Sequence, residues 1–239
     1  MRLDVLLSKK LDLSRSRIKD LIQNNKIKIK NFETLKPSEE LEWEDISIED
    51  IIIDQDDIEK VGRGKDKLDF AINYFNIDVN NKICLDIGCS TGGFTQTLLN
   101  YNAKFIYSVD VGTAQFSNIL KNNNKIKLFE NTDIRDFKPN IMFDIIVCDV
   151  SFISSRLLAQ KINELLIDSF ILLIKPQFEL EKSMLNKKGI VKKNNYVDMA
   201  VKNVIDHYKT FDIICKDFVQ SPIKGKSGNT EFLAFFKKE

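Results

Sequence analysis

Apolar residues recur along the chain in two rhythms. In residues 2–50, Leu3, Leu6 and Leu7, then Ile18, Leu21 and Ile22, repeat at helical spacing. Ser14 is the expected N-cap of the second helix, which carries Arg15, Arg17 and Lys19 near its start. Residues 26–30, Lys-Ile-Lys-Ile-Lys, alternate strictly, as a strand with one wet face would. Acidic residues then collect in 39–57, where only Ile51, Ile52 and Ile53 have the character of a strand. That stretch reads as a last short strand followed by a linker.

From about residue 82 the rhythm changes to apolar runs parted by helical stretches. The runs are 83–87, 105–109, 126–129, 143–150, 170–174, 211–219 and 232–236. Such alternation predicts a parallel sheet covered by helices on both faces. The last two runs are joined by a Pro- and Gly-containing loop over residues 221–229, too short for a helix. They should form an antiparallel hairpin at one side of the sheet. The expected fold class is α/β: a Rossmann-like seven-stranded sheet over residues 61–239, with a small N-terminal α+β domain and linker over 1–60.

Composition narrows the partners only slightly. Among 239 residues, 36 Lys+Arg almost cancel 35 Asp+Glu, so any affinity for nucleic acid must come from local clusters of cations. Cys84, Cys89, Cys148 and Cys215 form none of the close pairs of a zinc or dithiol site and read as buried thiols of a reducing compartment. No metal is expected. The first ten residues interleave charge with leucine, unlike the core of a signal peptide. No apolar run approaches the roughly 20 residues of a membrane helix. The chain therefore reads as cytoplasmic, with no membrane partner.

The candidate chemistry begins at Leu85-Asp86-Ile87-Gly88-Cys89-Ser90-Thr91-Gly92-Gly93-Phe94, which follows the first strand of the sheet and leads into a helical stretch. Glycines suit a sharp turn whose backbone approaches a ligand. Asp110 ends the next strand about twenty residues on, where an acid can bind ribose hydroxyls. The competing reading is a dinucleotide site. Against it, the loop lacks the G-x-G-x-x-G spacing, and Asp86 beside a diphosphate would be repelled. An acid there suits a ligand with a positive end, such as the amino group of a methionine moiety, and favours S-adenosylmethionine over NAD.

Asp149 and Lys175 close the fourth and fifth strands. An ammonium that ends an apolar strand needs a partner, and Asp149 is the natural one. Lys67, before the first of these strands, and Glu231, opening the last, converge on the same place by topology.

Several segments together carry a resemblance over nearly the whole chain. They are Val61-Gly62-Arg63-Gly64-Lys65-Asp66-Lys67-Leu68, residues 85–95, Asp110-Val111-Gly112, Asp149-Val150-Ser151-Phe152-Ile153, Lys175-Pro176-Gln177-Phe178-Glu179, and the Ser221-Pro222-Ile223 and Gly228-Asn229-Thr230-Glu231-Phe232 stretches. They resemble the TlyA family, in which an S4 RNA-binding domain is fused to an FtsJ-like ribose 2′-O-methyltransferase domain; some members are described as haemolysins. The resemblance implies a methyltransferase sheet using S-adenosylmethionine, with ribosomal RNA or ribosomal subunits as partner. The acceptor it implies is cytidine in large-subunit RNA, with small-subunit RNA the family's other target. The oligomeric state would be monomer or homodimer.

The family's catalytic Lys-Asp-Lys-Glu set falls on Lys67, Asp149, Lys175 and Glu231. By this resemblance, Lys175 would take the proton of the ribose hydroxyl, helped by burial and by the Lys67 cation, while Asp149 and Glu231 orient the lysines. The cofactor positions carry over as Asp86, Gly88, Ser90, Thr91, Gly92, Phe94, Asp110 and, for adenine, Asp133. RNA phosphates would meet Arg2, Arg15, Arg17 and Lys19.

The chain departs from the family twice. Arg63-Gly64-Lys65-Asp66-Lys67 replaces the usual Arg-Gly-Gly-Leu-Lys, which makes Lys65 a rival of Lys67. Residues 24–31 also lack the usual glycine and Val-Asn-Gly turn.

Other classes find less support. A cytolysin would want an amphipathic membrane stretch or an export signal, and neither is visible. An inert RNA-binding protein would have a broken catalytic set, whereas all four positions are filled. A hydrolase would have to use His207, the one histidine, which falls in a helical stretch and reads as a surface residue.

Overall fold

The computed structural model describes residues 1–11, 13, 15–53, 61–225 and 227–239, which divide into two compact units, Met1–Gly62 and Arg63–Glu239. The expected N-cap Ser14 and the expected linker after Ile53 lie outside the described residues.

In the first unit, helices α1 (Leu3–Leu11) and α2 (Arg15–Gln23) precede an antiparallel pair of strands, β1 (Ile27–Ile29) and β2 (Ile51–Ile53). The helically spaced leucines and isoleucines of α1 and α2 close a core with Ile27, Ile29 and Ile46. Strand β1 buries its isoleucines and exposes Lys28, as strict alternation requires.

One charge enters this core. Asp4 is fully buried and accepts hydrogen bonds from Arg2 Nε at 3.1 Å and Arg15 Nη2 at 3.0 Å, with Lys19 Nζ 3.4 Å away. The hydrogen bond from Arg2 does most to hold its carboxyl well below the ordinary range, against the opposing effect of burial. The three cations stay substantially exposed, so a single carboxylate gathers them at the surface. Arg17 corrects the sequence expectation. It is only 8% exposed and donates to Asp20 at 2.9 Å along its own helix, in contrast to the open placement of Arg2, Arg15 and Lys19.

The second unit opens with α3 (Gly64–Tyr74), then β3 (Ile83–Ile87), α4 (Gly93–Asn100), β4 (Phe105–Val109), the short α5 (Asn118–Lys121) and β5 (Ile126–Phe129). It continues through β6 (Phe143–Cys148), α6 (Ala159–Leu165), β7 (Leu166–Ile174), α7 (Pro176–Glu179), α8 (Asn194–Lys209), β8 (Ile213–Gln220) and β9 (Phe232–Lys238). The seven strands of its sheet run in the order β5-β4-β3-β6-β7-β9-β8. The first five are mutually parallel, and β9 and β8 form the expected antiparallel hairpin at one side.

Successive residues of the central strands serve opposite faces. Ile146, Cys148, Phe170, Leu172 and Ile174 pack with residues of α6 and α8, among them Ile162, Val204 and Tyr208. Ile145, Val147, Ile171 and Leu173 pack with Leu68, Ala71 and Ile72 of α3 and Phe94 and Leu98 of α4. Burial on both sides explains why these strands read as unbroken apolar runs.

Replacing Asp4 with Ala leaves Arg2, Arg15 and Lys19 without their common acceptor. The first unit should then melt roughly 5 °C lower, with faster amide exchange in α1 and α2. The carboxyl titrates lower folded than its ordinary 3.8, so its contribution is present above that value and fades as pH falls through the folded one. The loss of protection in acid should therefore be smaller in Asp4→Ala than in the natural chain.

Candidate active site

Parallel strands bring their carboxyl ends to one edge, and the polar residues that close them meet there. Gly88 follows β3, Asp110 follows β4, Asp149 follows β6 and Lys175 follows β7. Strand β9 runs the other way, and its register pairs Phe232 with Ile174, so Glu231 falls at the same edge as Lys175.

Close backbone approach makes the site compact. Gly88 adopts φ +78°, and a Cβ on it would stand 2.8 Å from the Asp149 carbonyl oxygen. A Cβ on Gly93 would stand 2.9 Å from the Lys65 backbone nitrogen, so only glycine lets the first turn of α3 lie against that of α4. Thr97 Oγ1 donates to the Lys65 carbonyl at 3.1 Å and secures that contact.

Two ion pairs follow. Lys67 Nζ donates to Glu231 Oε2 at 2.5 Å, and both residues are almost wholly buried. Lys65 instead pairs with Asp69 at 2.6 Å along α3, so of the rival lysines Lys67 is the one that meets Glu231. Lys175 Nζ lies 2.5 Å from Asp149 Oδ1 and donates to Ser151 Oγ at 2.8 Å. That ammonium is the partner of Asp149 Oδ1, an oxygen otherwise buried.

Beside these pairs is a crevice of about 410 Å³, within the range of small-ligand sites. Of the sequence-predicted residues it is lined by Gly88, Ser90, Asp110, Asp133 and Asp149. Asp110 is already engaged: Oδ2 accepts from the Ser90 amide and Oδ1 from the Gly112 amide, each at 2.7 Å, which knits the glycine loop to the end of β4. A carboxylate oxygen has a further lone pair for a ligand hydroxyl. Asp133 pairs with Arg135, whose hydrogen bond holds its carboxyl below the ordinary range.

Four predicted cofactor residues lie outside the crevice lining. Phe94 is 3% exposed and packs in the core under α3, where the apolar period of α4 directs it. Gly92 caps α4 at φ +96°, with Leu120 and Phe116 against it. The Thr91 carbonyl accepts from the Ser117 amide at 3.1 Å. Asp86 is fully buried within β3 and accepts from Thr95 Oγ1 at 2.6 Å. Burial pushes its carboxyl up to about 7, with the Thr95 hydrogen bond opposing and Asp149 adding. It keeps one buried oxygen, Oδ1, without a hydrogen bond. A spare acceptor oxygen on a carboxylate two residues before Gly88 suits a ligand with a cationic end, which is what a sulfonium amino acid offers.

The structure also draws in residues to which no site role was assigned from the sequence. Glu179 is 7% exposed and accepts from Ser154 Oγ at 2.5 Å and from the Ser155 amide and Oγ, each at 2.8 Å. This carboxylate ties the loop after β6 to the helix after β7, the two segments that carry Asp149 and Lys175. His207, expected at the surface, is half-buried, with Nε2 3.1 Å from the Arg156 carbonyl. Phe152 lines the crevice at φ +68°, is 88% exposed, and stands 5.2 Å from the Phe178 ring.

Because Asp86 is neutral below about 7 and ionised above it, a cationic ligand should bind more tightly as pH rises through that value. Calorimetric titration with S-adenosylmethionine between pH 6 and 8 should show the rise, together with proton release, and Asp86→Asn should flatten it.

Residues 60–238 match the FtsJ-like methyltransferase family. Over the full length of both chains, this one is 38% identical to a Campylobacter jejuni protein named 23S rRNA (cytidine-2′-O)-methyltransferase TlyA. It is 30% identical to a Mycobacterium tuberculosis protein named 16S/23S rRNA (cytidine-2′-O)-methyltransferase TlyA, with 98% of this chain and 88% of that one covered. A solved Streptococcus thermophilus structure that carries a hemolysin designation is similar at TM-score 0.77 and 30% identity, covering 100% of this chain and 88% of that one. With the sheet order and the glycine loop already in place, these matches put the chain in the FtsJ-like methyltransferase family, among its TlyA members.

Proposed function

We propose that the chain methylates the ribose 2′-hydroxyl of a cytidine in ribosomal RNA, large-subunit RNA first, from S-adenosylmethionine. The observation that carries this reading is the pair of ion contacts, Lys67 with Glu231 and Lys175 with Asp149, at the carboxyl edge, where Asp149 also lines the crevice. The names of the C. jejuni and M. tuberculosis relatives support the acceptor.

When bound, S-adenosylmethionine supplies an electrophilic methyl group on sulfur. Asp110 would hold ribose hydroxyls of the cofactor, Asp133 would serve its adenine end, and the Gly88–Ser90 backbone would hold its amino-acid end. The acceptor oxygen must shed its proton as it gains the methyl group; Lys175 Nζ, entering the step as the neutral amine, receives that proton and becomes the ammonium that Asp149 pairs with. Asp149 and Ser151 fix where that nitrogen sits, and Glu231 neutralises Lys67 so that the buried edge carries little net charge. The exposed ring of Phe152 gives the acceptor base a flat face to stack on. Positioning the two reactants supplies much of the acceleration.

In the same reading Met1–Gly62 is an S4-like RNA-binding domain, Arg63–Glu239 the methyltransferase domain, and Arg2, Arg15 and Lys19 are phosphate contacts. Work on ribosomal RNA belongs in the cytoplasm. The hemolysin designations of relatives suggest a membrane-acting protein instead. Among the described residues, however, no helix is long and apolar enough to cross a membrane.

Methyl transfer from labelled S-adenosylmethionine to ribosomal subunits of a strain lacking this protein, followed by mapping of 2′-O-methyl sites, tests the reading. One new site is expected, in large-subunit RNA. Lys175→Ala should lower kcat at least about 10²-fold while cofactor affinity holds; an active variant removes Lys175 from the proton transfer. Absence of transfer despite cofactor binding would retire the acceptor.

A further inference from the structure

The chain as a whole is nearly neutral, yet residues 182–193 contain five lysines and no carboxylate. Lys182, Lys187, Lys188, Lys192 and Lys193 are all exposed. Among the described residues none of them lies within ion-pair distance of an acid. Lys192 Nζ donates to the Ser183 carbonyl at 2.8 Å, and Lys193 lies over the Tyr196 ring.

These lysines are carried on an ordered ribbon. Leu185 bridges to Val191, the Lys192 amide donates to Met184 O at 3.1 Å, and the Asn186 amide donates to Ile190 O at 2.8 Å. At the tip, Asn186 Oδ1 accepts from the amides of Lys188 at 2.8 Å and Ile190 at 3.0 Å.

The ribbon is also fastened to the catalytic edge. Asn229 is 4% exposed and uses both ends of its amide on the ribbon: Oδ1 accepts from the Val191 amide at 3.1 Å and Nδ2 donates to Gly189 O at 2.9 Å. Two residues later comes Glu231, the partner of Lys67. A lysine run that served only solubility would need no buried amide to fix it.

We infer that this ribbon is a second RNA-binding surface, within the methyltransferase unit, whose lysines grip backbone phosphates flanking the target nucleotide. The inference rests on the proposed RNA acceptor. The logic is electrostatic: uncompensated cations held close to the reacting edge release counterions from RNA and draw its backbone there. Lysine suits this use because it meets phosphates as a point charge and carries no base specificity. The ribbon therefore sets affinity and register, while selection of the nucleotide is left to the site.

The test compares the natural chain with Lys187→Gln/Lys188→Gln, Lys192→Gln/Lys193→Gln and the four combined, using full-length protein and ribosomal RNA acceptor. All four lysines are exposed, so each variant should fold, which melting will verify. KM for RNA should rise about tenfold in the fourfold variant. The slope of log KM against log salt should fall by roughly 0.7 for each phosphate that is no longer neutralised, with S-adenosylmethionine affinity unmoved. An unchanged KM and salt slope in a folded fourfold variant would overturn the inference while leaving the methyltransferase reading intact. So would weakened binding to anionic lipid vesicles with RNA kinetics unaffected, which would assign the ribbon to membranes. A natural chain that transfers no methyl group to any ribosomal RNA would retire both.

Discussion

The pairing of β9 with β7 is the constraint on which the site depends. Because Phe232 lies opposite Ile174, the residue before β9 and the residue after β7 reach the same edge of the sheet. A slip of one residue would move Leu233 away from the α3 and α4 face and Ala234 and Phe236 away from the α6 and α8 face, so the fit of a strand buried on both sides defends that register. Glu231 is thus placed by packing of apolar side chains rather than by the charges it serves.

With that placement fixed, the charges at the edge are tolerable only in pairs. Lys67 and Glu231 are almost wholly buried, and either alone would be an uncompensated charge in a poor solvent for ions. Asp149 and Lys175 are less enclosed, and Lys175 shares its donors with Ser151. The buried pair is the enclosed member and the more open pair the one that a ligand can reach. Glu179 gives the open pair its stiffness: its hydrogen bonds with Ser154 and Ser155 hold the segments after β6 and β7 together without touching the crevice. Tyr208 Oη adds to this by donating to the Ser155 carbonyl at 2.9 Å.

Much of this is legible in the sequence, because strands buried on both faces write themselves as apolar runs and the hairpin loop leaves no room for a helix. The partnership of Asp149 with Lys175 also follows from the cost of an unpaired ammonium. Strand ends are harder. Strand β7 begins at Leu166, but residues 166–169 continue from α6 without a break and include Asp168, so the apolar run reads shorter than the strand. Strand β6 stops at Cys148, because Asp149 and Val150 leave the sheet to line the crevice. Its place in a motif marks Phe94 as a ligand contact, while its apolar period on α4 already speaks for the core. Glu179 and Arg17 show the opposite limit. Whether a charged residue turns inward depends on partners distant in sequence or on its own helix face, and composition is silent on both.

The two places where exposed cations gather solve the same physical problem differently. Around Asp4 a buried anion draws Arg2, Arg15 and Lys19 together, so that the cluster's geometry is set by charge and its net charge is reduced by one. On the lysine ribbon no acid intervenes; the order comes from backbone hydrogen bonds and the buried amide of Asn229. The first arrangement gives defined positions with less field, the second more field with side chains free to adjust. On the RNA-binding reading proposed for both, a polyanion whose backbone must be seated and then let go after one chemical event is served by the two together. Fixed cations select the shape of the backbone, whereas adjustable ones attract it over a longer range and exchange readily with salt. The tighter constraint falls on the ribbon, since Asn229 joins its backbone to the segment that delivers Glu231 to Lys67, so that the position of one is tied to that of the other.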